Sequence, residues 1–175
     1  KNPHCASNSP IRAIACETKE DTLAWLQQID DSDGVFLQEY LKGTEAGHFA
    51  FITEGEVHSL ATSQEYKKSH DGNMGPMAGA PLGGILRQDP EDCYGLAKAL
   101  LEPLKPWFKE TKFHGPIQVS AIQDAGKWHV IEYNIRLGVT SGAMLLRFLK
   151  NLFQTLHDVA CHRHPKIEWK QEASY

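Results

Sequence analysis

The order of apolar patterns along the chain predicts an α+β fold built mainly on antiparallel sheet. The pattern reads strand, helix, three strands, a glycine-rich stretch, helix, hairpin and helix. Consecutive strand patterns joined by short turns make antiparallel neighbours, whereas a parallel sheet needs a helix after nearly every strand. Neither GxxxxGK[ST] nor GxGxxG occurs, so a phosphate loop and a dinucleotide fingerprint are both excluded.

Pro10 to Cys16 reads as a strand. Thr18 is the N-cap of a helix, with Asp21 three residues on and Leu23, Trp25, Leu26 and Ile29 along it. Asp30 to Gly34 is a polar turn, Val35 to Leu41 a strand and Ala46 to Thr53 another. Glu54-Gly55 is a hairpin turn into Val57 to Thr62. Tyr66 to Gly84 holds five glycines and is expected to be a long, mobile loop. Asp89 to Phe108 is a helical pattern interrupted by Pro103 and Pro106. Gly115 to Gln123 and Lys127 to Ile135 form a second hairpin around Asp124-Ala125-Gly126. Ser141 to Ala160 is the strongest helix, with Met144, Leu145, Phe148, Leu149, Leu152, Phe153 and Leu156 as its core stripe.

Composition narrows the function classes. The 175 residues suffice for one compact domain or two small lobes with a real core. A net charge of −4 argues against a general nucleic-acid surface. No apolar run has the length of a membrane span. The four cysteines are widely scattered, which points to reduced thiols and a cytoplasmic protein. Cys161-His162-Arg163-His164, with His4-Cys5 far away, lacks the spacing of a zinc site, and a helix C-terminus rich in His and Arg has a dipole explanation.

Three stretches carry candidate chemistry. Glu132, Asn134 and Arg136 alternate along one strand and would share a face, with Ile131, Tyr133 and Ile135 on the other. Two oxygen ligands beside a guanidinium suit a magnesium ion bridged to phosphate; a partly exposed edge strand with a surface salt bridge fits the same triplet. Gly138 to Ser141 then opens an apolar helix. The stretch from Lys67 to Gly84 reads either as a flap over anionic substrate, with Lys67, Lys68 and His70 supplying charge, or as a surface loop. Gln38 to Leu41 reads either as an adenine-reading strand end or as an exposed strand end.

Taken together these stretches resemble the ATP-grasp ligases, and most closely the glycinamide ribonucleotide synthetase (phosphoribosylamine–glycine ligase) family. FLQEYLKGTEAGHFAFI (36–52) is similar to the family's hinge strand, LATSQEYKKSHDGNMGP (60–76) to its substrate loop, and WHVIEYNIRLG (128–138) to its metal strand E-[FY]-N-x-R-[FL]-G. The tail IEWKQEASY resembles the linker into a small C-terminal domain. The resemblance implies an ATP-grasp fold of two small α+β lobes, a first lobe and hinge at 1–62, a substrate loop and metal lobe at 63–160, and a linker at 161–175. It also implies that ATP phosphorylates a carboxylate and that an amine attacks the acyl phosphate, joining glycine to phosphoribosylamine in purine synthesis.

Carried over by position, Lys1 contacts nucleotide phosphates, Glu39, Tyr40 and Leu41 hold adenine, and Glu45 takes the ribose hydroxyls. Glu132 and Asn134 bind Mg2+ or Mn2+. Arg136 and Lys67 act in catalysis, while Asp71, Gly72, Gly75, Pro76 and Gly138 face substrate. The implied partners are ATP, an amino acid, a phosphorylated amine and the parent chain's further N- and C-terminal domains, with neither nucleic acid nor membrane. The chain departs from the family in three places. Lys1 to Pro10 has no glycine, Met77-Ala78-Gly79-Ala80 replaces Asn-Thr-Gly-Gly, and Val139-Thr140-Ser141 replaces Asp-Pro-Glu. An ATP-grasp ligase with another substrate pair, and a non-catalytic nucleotide-binding module, are the competing expectations.

Overall fold

In a computed structural model, the structure describes residues 14–29, 34–72, 74–78 and 81–170. The chain divides into two compact units, one of Lys1–Leu41 with Tyr66–Leu82, the other of Lys42–Glu65 with Gly83–Tyr175. No helix among the described residues is long and apolar enough to cross a membrane.

In the first unit, helix α1 spans Lys19–Leu26. Its N-terminus is a capping box: Thr18 Oγ1 accepts from the Asp21 amide at 3.0 Å and Asp21 Oδ2 from the Thr18 amide at 3.2 Å. The strand expected at Val35 to Leu41 is absent. Residues 34–42 join no described ladder, and Leu37 and Tyr40 are 78% and 66% exposed. An apolar run becomes a strand only where another strand offers it backbone partners. Of the strand expected at Pro10 to Cys16, residues 10–13 lie outside the described residues and 14–16 are irregular. The expected long loop is instead largely ordered as a hairpin of β3 (Lys68–His70) and β4 (Met74–Met77), with Asp71 and Gly72 at its turn.

The second unit is a five-stranded sheet between two helical layers. Strands β1 (Thr44–Thr53), β2 (Glu56–Tyr66), β5 (Gly83–Gln88), β6 (Gly115–Asp124) and β7 (Lys127–Asn134) lie in the order β5-β2-β1-β6-β7. The β1–β2, β1–β6 and β6–β7 pairings are antiparallel. Both two-residue turns are left-handed at each position, Glu54 and Gly55 at φ 52° and 78°, Ala125 and Gly126 at 46° and 76°. That geometry matches the strands' own twist and fixes the hairpin registers.

One sheet face packs on α4 (Thr140–Phe148) and α5 (Leu152–Ala160) through Phe49, Phe51, Leu145 and Phe148. The other packs on α2 (Leu96–Leu100) and α3 (Lys105–Thr111) through Ala50, Ile52, Leu101, Phe108 and Val119. The helix expected at Asp89 to Phe108 starts late because Asp92 turns its carboxylate onto the Ala97 and Lys98 amides (2.9 and 2.8 Å) and so caps α2. The helix expected over Ser141 to Ala160 is two. Leu149 is extended (ψ 123°) and bridges Trp169, and the Lys150 amide donates to the Glu168 carbonyl at 2.8 Å. The tail thus takes the backbone bonds that a continuous helix would need. The break turns Phe153 outward, 87% exposed, so it is not a core residue.

Candidate functional site

A β-bulge aims the metal-strand carboxylate. Ser120 pairs with Glu132 and Ala121 with Val130, so Ile131 is an extra residue on β7. Val130 and Trp128 pack in the α2/α3 core. Strict alternation would turn Glu132 to that same apolar side, and the bulge sends it to the opposite face. Tyr133 then points back toward α2, where its hydroxyl donates to the Leu100 carbonyl at 3.0 Å. Desolvation there pushes its phenol pKa up.

The register gathers a polar group on the α4 side of the sheet. Gly47 pairs with Ser63 and with Ser120, Ser120 with Glu132, Phe49 with Gln118, and Gln118 with Asn134. Directly opposed residues share a face, so Gly47, Ser63, Gln118, Ser120, Glu132 and Asn134 lie together, and alternation adds Glu45 and Glu65. Asn134 Nδ2 donates to Glu132 Oε1 at 3.1 Å. Ser141, fully buried in the first turn of α4, donates to Glu65 Oε1 at 2.6 Å. Gly138 is closely fitted, since a Cβ built on it would lie 2.6 Å from Gln118 Oε1.

Of the residues anticipated in sequence, Glu132 and Asn134 are hydrogen-bonded to each other, Glu45 lies on the same sheet face, and Gly138 sits against Gln118. Arg136 departs from expectation. Strand β7 ends at Asn134, so Arg136 sits in an exposed bend and donates to the Leu137 carbonyl at 3.2 Å. Glu39, Tyr40 and Leu41 lie in the irregular segment of the first unit, with Glu39 and Tyr40 exposed. Lys67, Asp71, Gly72, Gly75 and Pro76 belong to the first unit, in and around its hairpin. Gly75 has φ 82° and a Cβ there would strike the His70 ring. Lys1 lies outside the described residues.

Sequence reasoning missed a buried polar cluster on the opposite sheet face. His48 Nδ1 lies 2.9 Å from Thr62 Oγ1, and that hydroxyl donates to Asp89 Oδ2 at 2.7 Å. The carboxylate can only accept, so the hydroxyl's one proton goes to it and Nδ1 must carry the proton that Thr62 accepts. Asp89 also accepts from the Cys93 amide at 2.7 Å. His48 Nδ1 stands 3.9 Å from both Asp89 and Asp92, a grouping that matches metal-ligand spacing. The bonding is nevertheless that of a structural cap. Nδ1 is protonated, and the carboxylates are engaged by Thr62 and by backbone amides. Burial pushes the His48 pKa down, against the opposing pull of Asp92 and Asp89. Asp89-Pro90-Glu91-Asp92 ahead of an apolar helix was the available signal for the acids; nothing around His48 distinguishes it from other strand residues.

The sheet, its helical layers and its polar end define the ATP-grasp type of fold, which the chain shares with solved ligases. No family model matches the chain. It is 28% identical over 171 residues to the phosphoribosylamine–glycine ligase of Listeria monocytogenes serotype 4b, covering 90% of this chain and 40% of that protein. It therefore spans about two-fifths of the length of such relatives. Among solved structures it is similar to the phosphoribosylamine–glycine ligase of Thermotoga maritima (TM-score 0.62, 20% identity, 76% of this chain and 35% of that one). It is also similar to the D-alanine–D-alanine ligase of Bacillus anthracis complexed with ATP (TM-score 0.51, 16% identity, 82% and 47%).

Proposed function

We propose that the chain is part of an ATP-dependent carboxylate–amine ligase and carries its metal strand, with glycine and phosphoribosylamine as the substrates. The observation that carries this reading is the bulge-directed pair Glu132–Asn134 on the polar sheet face with Glu45. The Asn134-to-Glu132 hydrogen bond uses the amide nitrogen and one carboxylate oxygen, leaving Asn134 Oδ1 and Glu132 Oε2 as oxygen ligands. That donor set fits a hard divalent cation, Mg2+ or Mn2+, which would share its coordination with phosphate oxygens. When bound, such an ion neutralises phosphate charge.

In this reading Glu45 accepts the ribose hydroxyls, and Lys1 with the Glu39–Leu41 segment holds the nucleotide. The γ-phosphoryl group passes from ATP to a carboxylate oxygen, releasing ADP. The amine nitrogen then attacks the acyl carbon, inorganic phosphate leaves and the nitrogen loses a proton. Phosphoryl transfer asks the protein chiefly for positioning and charge. Arg136, Lys67 and the hairpin residues Asp71, Gly72, Gly75 and Pro76, with Gly138, would orient the substrates and exclude water from the acyl phosphate. The proposed location is the cytoplasm, the ordinary compartment for reduced thiols.

A second reading keeps the chemistry and changes the substrate pair. Val139-Thr140-Ser141 stands where the family has Asp-Pro-Glu, and Ser141 is committed to Glu65 rather than free for substrate. The test is ATP-dependent phosphate release by the full-length protein, first with glycine and phosphoribosylamine, then with other amino acids and amines, and with Glu132→Ala as the blank. Turnover with the first pair establishes the purine reaction. Turnover only with another pair establishes the second reading. A folded protein without turnover on any pair overturns both.

A further inference from the structure

We propose that the cavity beside the β1–β2 turn is a binding site for a free amino acid with an aromatic side chain. The cavity has a volume of about 230 Å³ and lies between that turn, the C-terminal end of α3 and the residues just after α5. All of its lining belongs to the second unit. It is smaller than the roughly 300–1,000 Å³ pockets that take drug-sized molecules, which limits the occupant to about the size of one amino acid. Glu45 lies near one end of β1 and Glu54 just past the other, about 30 Å of strand away, so the cavity is separate from the polar face that carries Glu132 and Asn134.

Local backbone geometry sets the walls. Glu54 and Lys112 both take left-handed conformations, φ 52° and 53°, one in the hairpin turn and the other at the C-cap of α3. The aromatic wall is half-buried Phe113, with buried Phe108 behind it at a centroid distance of 5.6 Å and Trp107 at 6.0 Å. His162 closes another side, its ring stacked on His114 at 3.6 Å. The Lys109 stem lies against Gly55, where a Cβ would strike it, and its ammonium group is held by Glu56 at 3.1 Å.

Two charges in this lining remain uncommitted. The Glu54 carboxylate and the Lys112 ammonium group make no hydrogen bond or ion pair among the described residues, either with each other or with a third group. Both residues are exposed, so the cavity is open to a ligand from solvent. An anion alone would be repelled by Glu54, and a cation alone by Lys112. A zwitterion satisfies both, its ammonium group donating to Glu54 and its carboxylate accepting from Lys112. The side chain of that zwitterion is left to pack on Phe113, where an aromatic ring gains the offset or edge-to-face contact that such rings prefer.

The test is a ligand-observed NMR titration of the full-length protein with L-phenylalanine. Two analogues are titrated in parallel: 3-phenylpropionate, which lacks the ammonium group, and phenethylamine, which lacks the carboxylate. Phenylalanine is expected to bind about two- to fivefold more tightly than either, the range for solvent-exposed ion pairs. Lys112→Met is expected to abolish the preference over phenethylamine and keep that over 3-phenylpropionate, and Glu54→Gln is expected to do the reverse. Both positions are exposed, so neither variant is expected to shift the melting temperature. Absence of phenylalanine binding, equal binding of the three ligands, or a preference that survives its matching substitution overturns the site. The readout is binding at a place remote from Glu132, so each of these results leaves the ligase reading intact.

Discussion

Ser141 Oγ donates to Glu65 Oε1 at 2.6 Å, tying the first turn of α4 to the end of β2 across 76 residues of chain. The contact is short and charge-assisted, and Ser141 is wholly buried. It lies next to the boundary at which the chain leaves the second unit, between Glu65 and Tyr66. Ser141→Ala is expected to cost about 1.5–3 kcal/mol, the usual worth of a hydrogen bond to a charged group. Urea unfolding measures it, and a midpoint equal to wild type would show that the bond contributes nothing.

Gly138 has no room for a side chain beside Gln118. Gly138→Ala places a methyl group 2.6 Å from the amide oxygen, so the carboxamide must move. Overpacking of this kind costs about 1–3 kcal/mol. The same substitution in a Gln118→Ala background is expected to cost far less. A double-mutant cycle in thermal unfolding reads the coupling, and additive effects would mean that the two residues do not meet.

Acid weakens the fold through buried His48 and half-buried His58. Burial lowers the pKa of His48, opposed by Asp92 and Asp89, and burial together with His164 lowers that of His58. The unfolded chain, with histidines near 6.5, then binds more protons than the native one. The stability that neutral histidines contribute is present above about pH 6.5 and is lost as pH falls below it. Chemical unfolding at pH 7.5 and at pH 5.5 should show the drop, and a smaller drop is expected in His58→Gln. Asp89 acts at lower pH. Its pKa is lowered, with the Thr62 and Cys93 hydrogen bonds outweighing desolvation, so its contribution is present above 3.8 and lost further into acid. Equal stability at pH 7.5 and 5.5 would contradict the histidine assignment.

The break between α4 and α5 separates two phenylalanines of similar sequence context. Phe148 is 6% exposed within the core and Phe153 is 87% exposed. Phe148→Ala is expected to cost about 3–5 kcal/mol and Phe153→Ser about 0.5 kcal/mol or less. Similar losses at the two positions would favour one continuous amphipathic helix.

The sequence by itself determined the features that depend on near neighbours. The α1 capping box needs only Thr18 and Asp21, three residues apart. The hairpins at Glu54-Gly55 and Ala125-Gly126 need only turn residues that accept positive φ between alternating strands. The resemblance of the E-Y-N-x-R-L-G strand to ATP-grasp ligases was legible in the same way, because Glu132 and Asn134 are two residues apart and share a face.

Tertiary structure decided the features that depend on distant partners. The Ile131 bulge exists because β6 sets the register of β7, and it decides which face Glu132 takes. Leu149 leaves the helical path because the tail at Glu168 to Lys170 bonds to its neighbours. Residues 34–42 have strand-like composition but join no described ladder. His48, Thr62 and Asp89 meet through strand pairing and a turn, and no local pattern records that meeting. Ser63 and Gln118 close over Gly47 from two different strands, leaving no room for a side chain there. Local chemistry fixes caps, turns and alternation within a few residues. Which polar groups converge is set by register and by long-range closure, which a linear pattern does not carry.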